Sequence, residues 1–341
     1  MVSPSLIFII GIILVAVFFD FINGFHDTAN SISTVVSTRV LSPRLAVLLA
    51  AVFNFAAFFV VGTPVASLVG SGIISTSLVT GNTQVGLILV LSALLGAITW
   101  DLITWYLGLP TSSSHALIGG LIGAGIAAGG LSVLNVHGIE VVVKYMVLSP
   151  LIGLAVAFGI MGGLYNLLRK AKPHTVNKYF QRLQILSSSG VSFSHGSNDA
   201  QKTMGIITLL LLTAGKLPEN KFVVPDWVAL LGYTTIALGT LAGGWRIIRT
   251  MGMRITHLQP VNGFAAETAA AVVILGSSLG GIPVSTTHVV AGSIMGVGAT
   301  KRFSAVRWGI ARRIVWVWII TIPMSAAVAA LAFVITGFLI G

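Results

Sequence analysis

The sequence predicts an all-α polytopic membrane protein, built of two inverted-topology repeats with broken or re-entrant helices. Three observations carry that expectation. Charge is scarce and missing over long runs, two motif pairs recur at nearly one offset, and matched loops differ in charge.

The chain has 341 residues, 55 % hydrophobic and 8 % charged, with mean hydropathy +0.99. A soluble globular chain carries roughly 25 % charged residues. This one cannot coat a water-facing surface, which excludes a soluble enzyme and a disordered chain alike. The absence of cysteine excludes disulfides, thiolate chemistry and Cys-ligated metals. No Asp, Glu, Lys or Arg occurs in 45–100, 102–139, 145–168, 227–245, 268–300 or 314–341. One crossing needs about 20 mainly apolar residues. The runs are continuous rather than alternating, so they read as helices and not as a barrel. No basic stretch precedes the first apolar run at Met1–Ser5, so that run is expected to stay as a helix rather than be cleaved.

A net charge of +11 would suggest nucleic acid in a soluble chain. Here the basic residues sit in short loops between apolar runs, which is the positive-inside pattern, and no nucleic-acid partner is expected. Arg169, Lys170, Lys172, Lys178 and Arg182 form one cluster. Arg246, Arg249 and Arg254 form a second, and Lys301, Arg302, Arg307, Arg312 and Arg313 a third. All three are assigned to the cytoplasm. Trp308, Trp316 and Trp318 beside the last cluster read as interface anchors.

Residues 110–125, PTSSSHALIGGLIGAG, match residues 283–298, PVSTTHVVAGSIMGVG, at an offset of 173. Upstream, Gly24-Phe25-His26-Asp27-Thr28-Ala29-Asn30-Ser31 matches Gly196-Ser197-Asn198-Asp199-Ala200-Gln201-Lys202-Thr203 at an offset of 172. Two pairs in one order mark a duplication. The expected organisation is a first repeat at 1–168, a basic cytoplasmic linker at 169–185 and a second repeat at 186–341. Arg39 and Arg44 follow the first Asp motif, whereas the matching loop balances Lys216 and Lys221 against Glu219 and Asp226. Glu140 and Lys144 follow the first Ser/Thr segment, whereas five basic residues follow the second. Matched loops thus prefer opposite sides. That implies inverted repeats with both termini extracytoplasmic, a plan that puts a substrate site near the midplane.

Each Ser/Thr segment opens with Pro and runs into a Gly-rich helix. The first turn of a helix has free N–H groups and a partial positive charge, and it binds phosphate-like anions without a cationic side chain. Ser112, Ser113, Ser114, Ser285, Thr286 and Thr287 add hydroxyl donors. The plainer alternative is ordinary capping of two membrane helices. Asp27 and Asp199 are carboxylates inside apolar stretches, and such groups are functional by default. Asn23 and Asn30 flank the first, and Asn198, Gln201 and Lys202 flank the second. Oxygen-rich surroundings of this kind suit a hard cation such as sodium. The alternative is a buried structural pair such as Asp199 with Lys202. Lys202 breaks the symmetry, because its counterpart is Asn30. It either neutralises Asp199 or faces the anion. Glu267 is a further candidate for a cation or a proton, and Asp101 is placed nearer an interface. His26, His115, His195 and His288 allow a proton relay or a metal site. For His115 and His288 the preferred reading is a neutral ring holding a broken helix end by a hydrogen bond. The repeated Gly119, Gly123 and Gly125, with Gly292, Gly296 and Gly298, read as close helix packing.

At these motifs the chain resembles the inorganic phosphate transporter (PiT) family of sodium- or proton-coupled symporters. The paired Gly-x-(Asn or His)-Asp-x-x-Asn-Ser type segments are Gly24–Ser31 and Gly196–Thr203 here. The paired Pro-x-Ser-(Ser/Thr)-(Ser/Thr)-His segments are Pro110–His115 and Pro283–His288. The resemblance spans residues 10–335. It implies roughly 10–12 membrane segments, two extracellular termini, electrolyte-coupled phosphate uptake and, by analogy, a homodimer. The long central domain of animal members is absent. His26 stands where Asn is frequent, as Asn198 does in the second half.

The expectation is therefore a symporter of inorganic phosphate in the cytoplasmic (inner) membrane, with no catalytic residue and no cofactor. Phosphate is assigned to Ser112, Ser113, Ser114, Ser285, Thr286, Thr287 and Gln201. Sodium, a co-transported ligand preferred to protons, is assigned to Asp27, Asp199, Asn23, Asn30, Asn198 and Glu267. The rivals are proton-coupled or metal–phosphate symport, a sulfate permease of the same fold, an anion channel and, remotely, an intramembrane phosphohydrolase using His26 and Asp27.

Overall fold

In the computed structural model the chain is described over residues 6–75, 81–218 and 222–340. Met1–Ser5, and Glu219 and Lys221 of the loop compared above, lie outside the described residues. Twelve α-helices are present among the described residues. Helix α1 is Leu6–Ser37, α2 Pro43–Ala56, α3 Pro64–Ser71, α4 Thr83–Tyr106, α5 Ser113–Gly129 and α6 Val136–Leu168. Then come α7 Pro173–Thr213, α8 Asp226–Ala242, α9 Trp245–Arg249, α10 Pro260–Leu279, α11 Thr286–Lys301 and α12 Trp308–Ile340. The second six repeat the first six in order: a long helix, a bent pair, two helices joined by a Ser/Thr turn, and a long helix. The bends are 88° between the α2 and α3 segments and 64° between the α8 and α9 segments. Pro150 in α6 and Pro323 in α12 occupy matching places. Only 169–172 separate α6 from α7, so most of 169–185 is helical.

Local sequence fixes the starts. Pro43, Pro64, Pro173 and Pro260 stand in first helical turns, where a missing N–H costs nothing. Asn82 accepts from Val85 N at 3.2 Å, and Asn135 accepts from Gly138 N at 3.3 Å. Among the described residues, five helices are long and apolar enough to cross a membrane, or up to seven if each bent pair is one span. The outward faces are apolar, with Ile7 83 % and Phe338 89 % exposed, while Asp27, Asp199, Lys202 and Glu267 are buried. That inside-out distribution suits hydrocarbon rather than water.

Long-range packing exchanges partners between the halves. Helix α5 lies on α12, and α11 lies on α6. The repeated glycines make this approach possible. A Cβ at Gly123 would fall 2.0 Å from Ala326 O, and one at Gly296 would fall 2.2 Å from Leu154 O. Gly24 and Gly196 of the Asp motifs act likewise, meeting Ile236 O of α8 and Asn54 O of α2. Helices α1 and α7 run antiparallel. Thr203 donates to Asp20, Ser188 to Ser31 O and Thr38 to Gln184, so one index rises as the other falls. Two apolar cores flank this polar seam. One surrounds Phe19, Leu94, Leu117 and Leu210, and the other surrounds Ile32, Met251, Ala266 and Ile294.

Candidate substrate and ion site

The site forms where the two Ser/Thr turns reach the middles of α1 and α7. Both turns are made the same way. Gly108 (φ 64°) and Gly281 (φ 69°) take the left-handed conformation that glycine adopts without strain. Leu109 N bonds Thr104 O and Ile282 N bonds Ser277 O, which closes each preceding helix. Ser112 Oγ then caps α5 by accepting from His115 N at 3.3 Å, and Ser285 Oγ caps α11 from His288 N at 3.2 Å. Capping thus belongs to the serines. The expected hold of the His115 and His288 rings on the helix ends is not what the structure shows. These rings lie 4.7 Å apart, and His288 stacks on Trp318 at 3.8 Å. Trp318 is buried and donates to Pro110 O at 3.0 Å, so it braces the turn rather than anchoring at an interface. Trp316, 61 % exposed, keeps the outward position expected of it.

Asp27 and Asp199, from opposite halves, come together with His195. One ligand atom from each of the three lies within 4.8 Å of the others. Asp27 accepts from Ser113 Oγ at 3.1 Å and from Thr287 Oγ1 at 3.5 Å, and its Oδ1 lies 2.7 Å from His26 Nδ1. Asn23 Oδ1 accepts from the same Ser113 hydroxyl at 2.5 Å. Asn30 Nδ2 donates to Thr286 at 3.2 Å and to Thr287 at 2.9 Å. Across the seam, Asp199 accepts from Thr286 at 3.2 Å, with His195 Nε2 also at 3.2 Å. Lys202 Nζ bonds both Asp199 and Ser114 and reaches Val284 O at 3.3 Å. Each turn therefore touches carboxylates, amides or the ammonium from the helices it meets. The result is an enclosed set of hydroxyls, N–H groups, two carboxylates and one ammonium.

Three of the sequence-assigned residues lie apart from this centre. Gln201 Oε1 accepts from Val65 N at 2.8 Å and its Nε2 donates to Ser197 O at 2.6 Å, which ties α7 to the start of α3. Asn198 donates to Ser278 Oγ at 3.0 Å. Glu267 forms its own cluster, accepting from Thr34 at 2.5 Å, Gln184 at 3.0 Å and Ser187 at 2.5 Å. Asp101 is fully buried with neither oxygen bonded, contrary to a place near an interface, because α4 is packed on α5 and α12 there.

Sequence reasoning passed over Asp20, which is buried, accepts from Thr203 at 2.8 Å and leaves Oδ2 unpartnered. It also missed Asn54, whose Oδ1 lies 3.2 Å from His195 Nδ1. The signal for Asp20 was present: positions 20, 23, 27, 30, 34 and 38 are polar at three- and four-residue spacing, one face of α1. Beyond Glu267 a cavity of about 1100 Å³ opens, with Thr38, Arg39, Arg169, His174, His257 and Arg307 among its lining residues. Three separate basic loops therefore share one face, and Thr38 connects it inward through Gln184 to Glu267.

Comparison with known proteins agrees with this architecture. The description "Phosphate transporter family" matches residues 23–329. A protein of Rhizobium meliloti (strain 1021), named "Probable low-affinity inorganic phosphate transporter", is 50 % identical over 325 residues, covering 95 % of each chain. One of the same name from Bacillus subtilis (strain 168) is 44 % identical over 330 residues, covering 97 % of each. A solved structure titled "The sodium-dependent phosphate transporter" superposes with a TM-score of 0.88 at 26 % identity, covering 98 % of this chain and 100 % of the other. With its buried, twofold Ser/Thr turns and its match over nearly the full length, the chain is a membrane transporter rather than an enzyme and belongs to the phosphate transporter family.

Proposed function

We propose that the chain is a cation-coupled symporter that moves inorganic phosphate across the cytoplasmic membrane by alternating access. One observation carries the reading: two capped helix starts from different halves converge on Asp27 and Asp199. Phosphate is assigned to the first turns of α5 and α11, to Ser112–Ser114 and Ser285–Thr287. Gln201 keeps a supporting place, holding α7 to α3 beside them. Phosphate carries a proton that a carboxylate accepts and fully ionised sulfate does not, so two carboxylates bonded to these hydroxyls favour phosphate over sulfate.

Asp27, with Asn23 and Asn30, is the first coupling-ion site. Asp199 is its second-half counterpart, with Asn198 beside it turned to Ser278, and Glu267 is a separate ion position linked to the cavity through Gln184 and Thr38. Sodium is preferred, because the donors are oxygens and the solved relative's title names sodium. Cation and anion then offset each other's charge, so neither is held well alone. The antiparallel run of α1 and α7 supports inverted repeats, which allow one site to face each side in turn. The shared basic face supports a cytoplasmic cavity and extracytoplasmic termini.

The test is uptake of radiolabelled phosphate into proteoliposomes under a sodium gradient, a proton gradient or none, each with excess sulfate. Sodium-driven, sulfate-resistant uptake that is lost in Asp27→Asn is the expected result. Uptake driven by protons alone overturns the ion assignment, and sulfate transport without phosphate transport overturns the substrate.

A further inference from the structure

Lys202 and Asn30 hold matching positions in the two halves, one a cation and the other an amide. Both reach the central site, but with different partners. Asn30 bonds the hydroxyls of Thr286 and Thr287. The Lys202 ammonium bonds one carboxylate oxygen of Asp199, the hydroxyl of Ser114 and the main-chain carbonyl of Val284. These accepting oxygens come from three places: α7 itself, the start of α5 and the non-helical segment before α11.

A carboxylate, a hydroxyl and an irregular backbone carbonyl, all oxygen, are the donor set a hard monovalent cation takes at an interrupted membrane helix. A simple structural ion pair needs Asp199 alone. Here the same nitrogen also joins the two turns assigned to the anion. The residue is 1 % exposed, so water does not compensate its charge, and these three oxygens must do so. Among the described residues no lysine or arginine pairs with Asp27; its hydrogen-bond partners are His26, Ser113 and Thr287.

We propose that the Lys202 ammonium is a tethered cation filling the second-half ion position. On this view the chain carries phosphate with one transported cation fewer than two open Asp sites would require. The proposal rests on reading Asp27 and Asp199 as ion positions. The fixed positive charge stays with the protein through the cycle. Through Ser114 it supports the anion from the second half, while the moving ion does so from Asp27.

The experiment is equilibrium binding of ²²Na⁺ to the purified full-length chain, with and without saturating inorganic phosphate. It compares the unaltered protein with Lys202→Asn and with the charge-neutral Asp199→Asn/Lys202→Asn pair. Lys202→Asn is expected to bind one more sodium per chain, and the Hill coefficient for sodium in phosphate uptake is expected to rise by about one. The double variant is expected to keep the unaltered count. A folded, phosphate-binding Lys202→Asn with no added sodium overturns the proposal, as does a double variant that loses one. Should Lys202→Asn fail to fold, the double variant decides, since it strands no buried charge. Absence of phosphate uptake by the unaltered protein refutes the transport reading instead, because the sodium count is read without transport.

Discussion

Asn30 of α1 donates to Thr287 at the start of α11 across 2.9 Å, although 257 positions separate them. The bond joins the first Asp motif to the second Ser/Thr turn, so neither half assembles its site alone. Thr287 in turn faces Asp27, and Thr286 faces Asp199.

A double-mutant cycle of Asn30→Ala and Thr287→Val measures that coupling. Groups sharing one network deviate from additivity by about 0.5–3 kcal/mol. Phosphate binding, read by isothermal calorimetry, is expected to show coupling in that range, and strict additivity would mean that the bond does not serve the anion.

Asp27→Asn keeps the side-chain shape and removes its charge. Losing one partner of a buried charged network costs about 2–5 kcal/mol, a thirtyfold or greater loss of phosphate binding. The loss should appear in proteoliposome uptake while the elution profile on size exclusion stays unchanged.

Glu267 stands apart from the two Ser/Thr turns, so its effect should separate from theirs. Glu267→Gln is expected to raise the sodium concentration for half-maximal uptake about tenfold, since 1.4 kcal/mol is one decade, with phosphate affinity little altered. Equal weakening of both would place Glu267 in the anion site.

Two glycines of α5 and α10 should respond oppositely to alanine. At Gly123 the new Cβ meets Ala326 O at 2.0 Å, and forcing α5 from α12 costs about 1–3 kcal/mol. At Gly276 nothing lies within 4 Å, and alanine gains about 0.5–1 kcal/mol of helix stability. Thermal unfolding in detergent should fall for the first and hold or rise for the second.

Arg39 sits at φ 61° in the turn after α1, a conformation that costs a side-chain-bearing residue about 1–2 kcal/mol. Arg39→Gly removes that strain, and the melting temperature is expected to rise. The same variant removes a positive charge from the cavity, so phosphate release to that side should become less sensitive to ionic strength.

Much of this site could be read from the chain because its parts are local. Ser112 and Ser285 announce helix starts through Pro, hydroxyl and glycine order, and the structure makes them caps. Asp27 and Asp199 stand out because a charge in an apolar run has few innocent explanations. Asp20 had the same signal and went unread. Asp101 was placed too near the surface because Trp100 and Trp105 beside it read as interface markers, whereas Trp100 donates inward to Thr321 at 3.2 Å. The role of Trp318 failed for the same reason.

The sequence by itself determined the membrane class, the duplication, the capped turns and the polar faces of α1 and α7, all of which follow from short-range spacing and local charge. Only the tertiary structure decided that α5 pairs with α12 and α11 with α6, that Glu267 forms its own cluster, and that Lys202 spans Asp199, Ser114 and Val284. Helical periodicity tells which face is polar, but not which distant helix will meet it. That choice is made by close packing at glycines such as Gly123 and Gly296, whose partners lie in the other half.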